Sequence, residues 1–192
     1  MTTITDIELS RKEYLTLPET EWRKDYFDEA TGGYVATHYL KGKDDLRRPG
    51  IAAEVMACHK LAEIGKHILR LPENVSELID EISIIGTPYR ALLKFKSGEK
   101  DPRGYPDAFF DGQTWDFKAP EFKNNVDSLR QLIKDGRKAD NVIFIAKNTG
   151  NLKLLREALF REIGRQKKNG LWFEIPNIYY MLGNRYICLW KK

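Results

Sequence analysis

Two aspartates and a lysine in the stretch 105–119 have the types and spacing to do chemistry on a phosphate. Asp111-Gly112 is a strong hairpin signal, because a two-residue type I′ turn needs positive φ at both central positions. Counting outward from that turn pairs Phe110 with Gln113, Phe109 with Thr114, Ala108 with Trp115 and Asp107 with Asp116. Alternation then puts Asp107, Phe109, Thr114, Asp116 and Lys118 on one face, and Ala108, Phe110, Trp115 and Phe117 on the other. Like charges directly opposite each other destabilise a strand pair by roughly 0.2 to 1 kcal/mol. Facing aspartates are therefore a cost that a bound cation would remove. Lys118, on the same face, is placed to hold a water or a phosphate oxygen beside such an ion. The bland alternative is a solvated hairpin with ordinary surface charges.

A third acid stands upstream. Pro49-Gly50 opens a helical stretch over 51–64 that Gly65 stops. Steps of three and four from Glu54 reach Ala57, Cys58, Leu61 and Ala62, which places Glu54 on the apolar stripe. An unpaired buried carboxylate is costly, so Glu54 needs a metal ion or a lysine, unless only its stem packs and its head reaches water. Glu54, Asp107 and Asp116 form a set of hard oxygen ligands, suited to Mg²⁺ or Mn²⁺. With Lys118 beside it, such an ion supports phosphodiester hydrolysis. His38, His59 and His67 do not assemble into an acid and base pair, and no Walker loop or dinucleotide fingerprint is present.

The elements around these residues read as an α/β fold. Residues 1–27 form an arm, partly helical, docked through its aromatics and interrupted at Pro18. Strands are expected over 34–39 and 66–71, with a loop over 41–48. Over 73–100 the pattern is weak, allowing helix then strand over 75–85, a break at Gly86-Thr87-Pro88 and a strand over 90–96; 97–104 is a loop. A helix over 124–135 carries an apolar stripe of Val126, Leu129, Leu132 and Ile133. Its other faces present Ser128, Arg130, Gln131 and Lys134, with Arg137 and Lys138 just beyond, as candidate phosphate contacts or a solvated charged surface. The apolar run Asn141–Ala146 is a central strand buried on both faces. A helix capped at Asn148 and running to about Gln166 follows, then strands over 171–175 and in a terminal hairpin around Gly183-Asn184.

At 192 residues, with 42% hydrophobic content, the chain can bury a substantial core. It divides into 1–48, an arm with a turn and strand, and 49–192, both within one globular unit. No apolar run approaches membrane-spanning length and the start lacks a signal-peptide pattern, so a soluble, cytoplasmic protein without a membrane partner is expected. Cys58 and Cys188 make neither a disulfide framework nor a zinc site. Net charge is +4, but residues 1–30 hold four Lys/Arg and eight Asp/Glu, which leaves +8 elsewhere and fits a polyanionic partner.

The residues also carry a resemblance. Pro106-Asp107, eight intervening residues, and Asp116-Phe117-Lys118 resemble the PD-(D/E)XK motif of the restriction-endonuclease-like nucleases, with Glu54 matching their helix-borne acid. The order of elements over 50–146 resembles that core, a mixed central sheet flanked by helices. Within the superfamily the chain is most similar to the C-terminal tRNA nuclease domains of contact-dependent growth inhibition toxins. This further likeness rests on Gly32-Gly33-Tyr34-Val35 with His38, on Glu54 with Leu61-Ala62 and Gly65, and on Leu71-Pro72-Glu73. The resemblance implies a metal-dependent nuclease acting in, or delivered into, a bacterial cytoplasm and neutralised by an immunity protein. Its implied catalytic residues are Glu54, Asp107, Asp116 and Lys118, and its implied substrate is tRNA or another structured RNA. A DNA endonuclease of a phage or mobile element, and a non-catalytic nucleic-acid-binding module, remain open alternatives.

Overall fold

The computed structural model describes residues 3–73, 78–95, 104–119, 125–146, 150–171, 174–183 and 185–192. Helix α1, Ile4–Thr16, starts at a capping box in which Thr3 and Asp6 satisfy each other's backbone N–H. Strands β1 (Trp22–Phe27) and β2 (Tyr34–His38) follow, then α2 (Pro49–Ala62) and β3 (His67–Arg70). Two short strands, β4 (Ser83–Ile84) and β5 (Thr87–Pro88), and a one-turn helix α3 (Tyr89–Leu92) lead to β6 (Ala108–Phe110) and β7 (Gln113–Lys118). The chain ends with α4 (Val126–Asp135), β8 (Asn141–Ala146), α5 (Gly150–Lys168), β9 (Asn177–Leu182) and β10 (Arg185–Trp190).

Among the described residues, eight strands form one mixed sheet in the order β1-β2-β3-β6-β7-β8-β9-β10, with β2/β3, β7/β8 and β8/β9 parallel. The expected α/β class with a mixed, helix-flanked sheet is present. Residues 22–27 correct one expectation: they are an edge strand, not part of a docked arm. Trp22 is buried edge-on against His38, and β1 pairs antiparallel with β2 through the inward half of its backbone groups. The strands of 1–48 thus belong to the same sheet as those of 49–192.

Three apolar clusters fix the layers. On one face, α2 packs through Ala53, Ala57, Cys58 and Leu61 onto Val35, Ile68, Ala108, Phe110, Trp115, Phe117, Ile143 and Ile145. The other face carries two separate clusters. One joins Tyr14 of α1 and the segment around Ile79, Ile84 and Tyr89 to Tyr34, Ala36 and Leu69. The other joins α4 and α5 to Val142, Phe144, Ile178 and Tyr180. Every residue of β8 is buried, as its unbroken apolar run requires. Residues 90–95 form no sheet strand; a single turn of helix replaces it, because apolar periodicity in this segment is short and irregular. Leu171, Glu174 and Ile175 also lie outside any strand, with Glu174 N–H turned back to the Leu171 carbonyl. The expectations for 74–77, 96–103, 120–124, 147–149, 172–173 and 184 fall outside the described residues.

Candidate active site

The hairpin has the register that its turn dictates. Asp111 and Gly112 take φ of 52° and 71°, and Phe110–Gln113, Phe109–Thr114 and Ala108–Trp115 pair. The ladder stops there: the Asp107 N–H donates to the Trp115 carbonyl at 2.9 Å, so Asp107 is not paired with Asp116 as strict alternation predicts. The apolar residues of β6 and β7 lie under α2, with the Phe110 and Trp115 rings stacked 4.2 Å apart. Asp116 pairs with Val142 in the neighbouring parallel strand and so lies on the face of α4 and α5. The two aspartates occupy a gap between the two apolar clusters of that face.

Both aspartates are buried, Asp116 completely. Lys138 Nζ lies 3.0 Å from Asp107 Oδ1 and 2.9 Å from Asp116 Oδ1, and Lys118 Nζ lies 2.7 Å from Asp116 Oδ2. Asp107 Oδ2 also accepts the Phe117 N–H at 2.7 Å. Neither buried oxygen of Asp116 accepts a well-aligned hydrogen bond from the lysines, and the neighbouring Asp107 carboxyl is close enough to share a proton with it. Gly136 brings Lys138 close enough. A Cβ there would lie 2.3 Å from Val142 Cγ2, so only glycine lets the 136–138 turn approach the sheet so tightly.

Electrostatics splits the pair. Burial, and then the adjacent Asp107 charge, push Asp116 up to about 7 against the pull of Lys138 and Lys118. Burial also opposes ionisation of Asp107, but the Lys138 ammonium, Lys41 and the Phe117 N–H outweigh it and hold Asp107 well below the usual range. The two carboxyls therefore titrate as a unit, one ionised and one able to hold a proton near neutrality.

Glu54 reaches the same cavity but is already satisfied. Arg70 donates to its Oε1 from Nη2 at 2.8 Å and Nε at 3.2 Å, and Lys41 Nζ lies 3.3 Å away. Arg70 also grips Asp44 with two parallel bonds of 2.7 and 2.8 Å, and Lys41 meets Glu73 at 2.5 Å. Burial, with Asp107 adding to it, still holds the Glu54 carboxyl above its ordinary value. The need for a partner, inferred from the helix stripe, is met by two cations of the protein itself. Arg70 was missed, although a charged residue in the otherwise apolar run Ile68–Leu71 was the available signal.

A cavity of about 780 Å³ joins these groups, lined by the acids Asp44, Glu54, Glu73, Asp107 and Asp116 and by the cations Lys41, Lys43, Arg47, Arg48, Lys118 and Lys138. All four residues marked as catalytic thus open on one space. The basic rim from the loop before α2 went unnoticed, although four cations within 41–48 ahead of Glu54 were visible. Most of the expected basic helix face is used otherwise. Arg130 and Arg137 bind the buried Glu162 at 3.3 and 3.1 Å, Arg137 also meets Glu174 at 3.2 Å, and Gln131 donates to Asp135 at 2.7 Å. The Ser128 N–H is bonded to the Asn125 cap at 2.8 Å, and Lys134 is half-buried and does not line the cavity. Of the proposed phosphate contacts, Lys138 alone lines it.

The donor chemistry fits a hard divalent cation in one respect: two adjacent buried carboxylates, with the oxygens of Asp116 lacking aligned hydrogen bonds. Glu54 is committed to Arg70 and Lys41, and among the described residues no three His, Cys, Asp or Glu side chains are grouped as ligands. No helix of the described residues is long and apolar enough to cross a membrane. No family model, curated protein or solved structure matches the chain.

Proposed function

We propose that this chain is a metal-dependent nuclease with a PD-(D/E)XK-like core, hydrolysing phosphodiester bonds in tRNA or another structured RNA. The observation that carries it is the buried pair Asp107 and Asp116, flanked by Lys118 and opening on a cavity lined by acids and cations. Lys43, Arg47 and Arg48 among its lining offer contacts to a polyanion. Asp107 and Asp116 would hold Mg²⁺ or Mn²⁺, which when bound polarises a phosphoryl oxygen and acidifies a water. Lys118, 2.7 Å from Asp116, orients a water or offsets charge developing on phosphorus. Glu54 holds Lys41 and Arg70 in place behind the pair. The preference for tRNA, the delivery into a bacterial cytoplasm and the immunity partner rest on the resemblance alone.

A second reading has its own support. Lys138 already bridges the two aspartates, so the site is charge-compensated by the protein itself and would suit a module that binds nucleic acid without cutting it. Incubating the protein with tRNA and with plasmid DNA under Mg²⁺, Mn²⁺ or EDTA separates the two. Metal-dependent cleavage that EDTA abolishes is expected; binding without cleavage under either metal would leave the module and discard the nuclease.

A further inference from the structure

Helix α5 turns a second basic surface outward, away from the cavity. Its inner side is fixed in the core by Leu155, Ala158, Leu159 and Ile163. At about 100° per residue, Arg156, Lys167, Phe160, Lys153 and Gly164 fall within about 80° of one another on the outer side. Phe160 stands in the middle of that arc and is 74% exposed, the most exposed Phe, Tyr or Trp among the large hydrophobics of the described residues. Lys168 extends the surface on one flank, while Arg165 lies about 140° round the helix from Phe160. Glu157 is the sole acid of this face and is paired with Arg161 at 2.6 Å. Among the described residues, Lys153, Arg156, Arg165, Lys167 and Lys168 have no acid within ion-pair distance.

Single exposed apolar residues are ordinary, and charged outer faces usually serve only solvation. Here the apolar residue is aromatic, has the unpaired Arg156 one turn before it and Lys153 and Lys167 two turns to either side along the same line, and Gly164 one turn on leaves open space beside it. We infer that the outer face of α5 is a second nucleic-acid docking surface, its cations tracking the sugar–phosphate backbone while Phe160 stacks on an unpaired base. Charge complementarity selects a polyanion, and the ring selects one that carries flat bases. The stretch from Lys153 to Lys168 spans roughly 22 Å of helix, enough to follow several phosphates.

The surface is also tied to the acid pair. Arg137 holds Glu162 of α5 at 3.1 Å, while its neighbour Lys138 bridges Asp107 and Asp116. One three-residue turn therefore sets α5 and the proposed catalytic centre relative to each other, on the same side of the sheet. A structured nucleic acid held along α5 would have a defined position relative to the cavity. The inference deepens the proposed function by naming a second contact of its substrate, but docking itself needs no catalysis.

The test is fluorescence anisotropy of a labelled RNA hairpin with a single-stranded 3′ overhang, titrated with the full chain in EDTA across a salt series. Phe160→Ala should weaken binding about 10-fold with the salt slope unchanged, because it removes stacking and no charge. The double variant Arg156→Gln with Lys167→Gln should weaken it and flatten the slope by about 1.5, because two phosphates lose their partners. Circular dichroism and urea unfolding establish that each variant folds like the parent. Parental affinity in both variants, or no RNA binding by the parent itself, overturns the inference. So does binding through this face to phosphatidylserine vesicles or to an acidic protein with no binding to RNA. The same hairpin in DNA distinguishes the two kinds of backbone, a preference for either one supporting the surface. Failure of cleavage under every metal would end the nuclease proposal and leave the binding result standing.

Discussion

Asp116 and Glu162 are both fully buried carboxylates, held by cations from the same stretch of chain, yet they are built in opposite ways. Glu162 is met by guanidinium groups and an amide. Its Oε1 accepts from Arg137 at 3.1 Å and Gln166 at 2.6 Å, and its Oε2 accepts from Arg130 at 3.3 Å. Asp116 is met by two ammonium groups without aligned hydrogen bonds, has a second carboxyl beside it, and opens on a cavity. Arginine's planar fork fixes a carboxylate in one geometry, whereas lysine is a point charge on a flexible stem that can give way to another cation. Burial alone therefore does not distinguish the two acids; the directionality of their partners does.

The largest expected effect breaks the comparison at Asp116. Asp116→Asn should lower the cleavage rate by about 1,000-fold or more, equivalent to about 4 kcal/mol of transition-state stabilisation, while urea unfolding shows unchanged or higher stability. Removing one of two adjacent buried carboxylates relieves repulsion, so function and stability move in opposite directions. Cleavage that survived in this variant would make the pair structural. Glu162→Leu should do the reverse, costing about 3 kcal/mol in urea unfolding by leaving Arg130 and Arg137 without their shared acid. Its folded fraction should still cleave, within about 10-fold of the parental rate, because the turn that carries Lys138 loses its hold on α5 but keeps the acid pair.

A pH series sharpens the contrast without large changes of shape. Asp116 is raised to about 7 from an ordinary 3.8, so its protonated form favours the folded state. That stability is fully present below pH about 3.8 and is lost as pH rises through about 7. Asp107 is held low, so its contribution is constant across this window and disappears only in stronger acid. Glu54, also raised, adds to the loss in the same direction. Stability should therefore fall between pH 5 and pH 8 by on the order of 2 kcal/mol, and the fall should be smaller in Asp116→Asn. A parental slope in that variant would place the titration elsewhere.

How much of this was legible in the sequence depends on the range of each interaction. The three pairs next to the turn and the two faces follow from a two-residue turn and strict alternation, both local, and are found in place; the expected pairing of Asp107 with Asp116 is not, since the ladder ends at Ala108–Trp115 and Lys138 is what joins the two acids. Glu54 on an apolar stripe also correctly announced a need for partners. The partners themselves were hidden, because Lys138 reaches Asp107 across 31 positions and Arg70 reaches Glu54 across 16. Arg130 and Arg137 looked like phosphate contacts for the same reason, since the acid that holds them lies 32 and 25 positions away. Residues 78–95 defeated prediction differently: their short strands and single helical turn are too brief to show a period.

Glu54 stands between the two kinds of site and gives the smallest expected effect. It lines the cavity, but its main partner is an arginine that holds it from two nitrogens, the arrangement seen at Glu162. Glu54→Gln keeps the shape and one acceptor for Arg70, and Arg70 retains its paired bonds to Asp44. The loss in urea unfolding should therefore be about 1 kcal/mol, well below that of Glu162→Leu. Lys41 loses one of two carboxylates and keeps Glu73, so the rim stays largely in place and cleavage should fall by less than about 10-fold, about 1.4 kcal/mol. Stopped-assay rates measured on the folded fraction give the answer. A loss as large as that of Asp116→Asn would place Glu54 among the groups that hold the ion, with Arg70 and Lys41 as the partners it leaves when the ion binds.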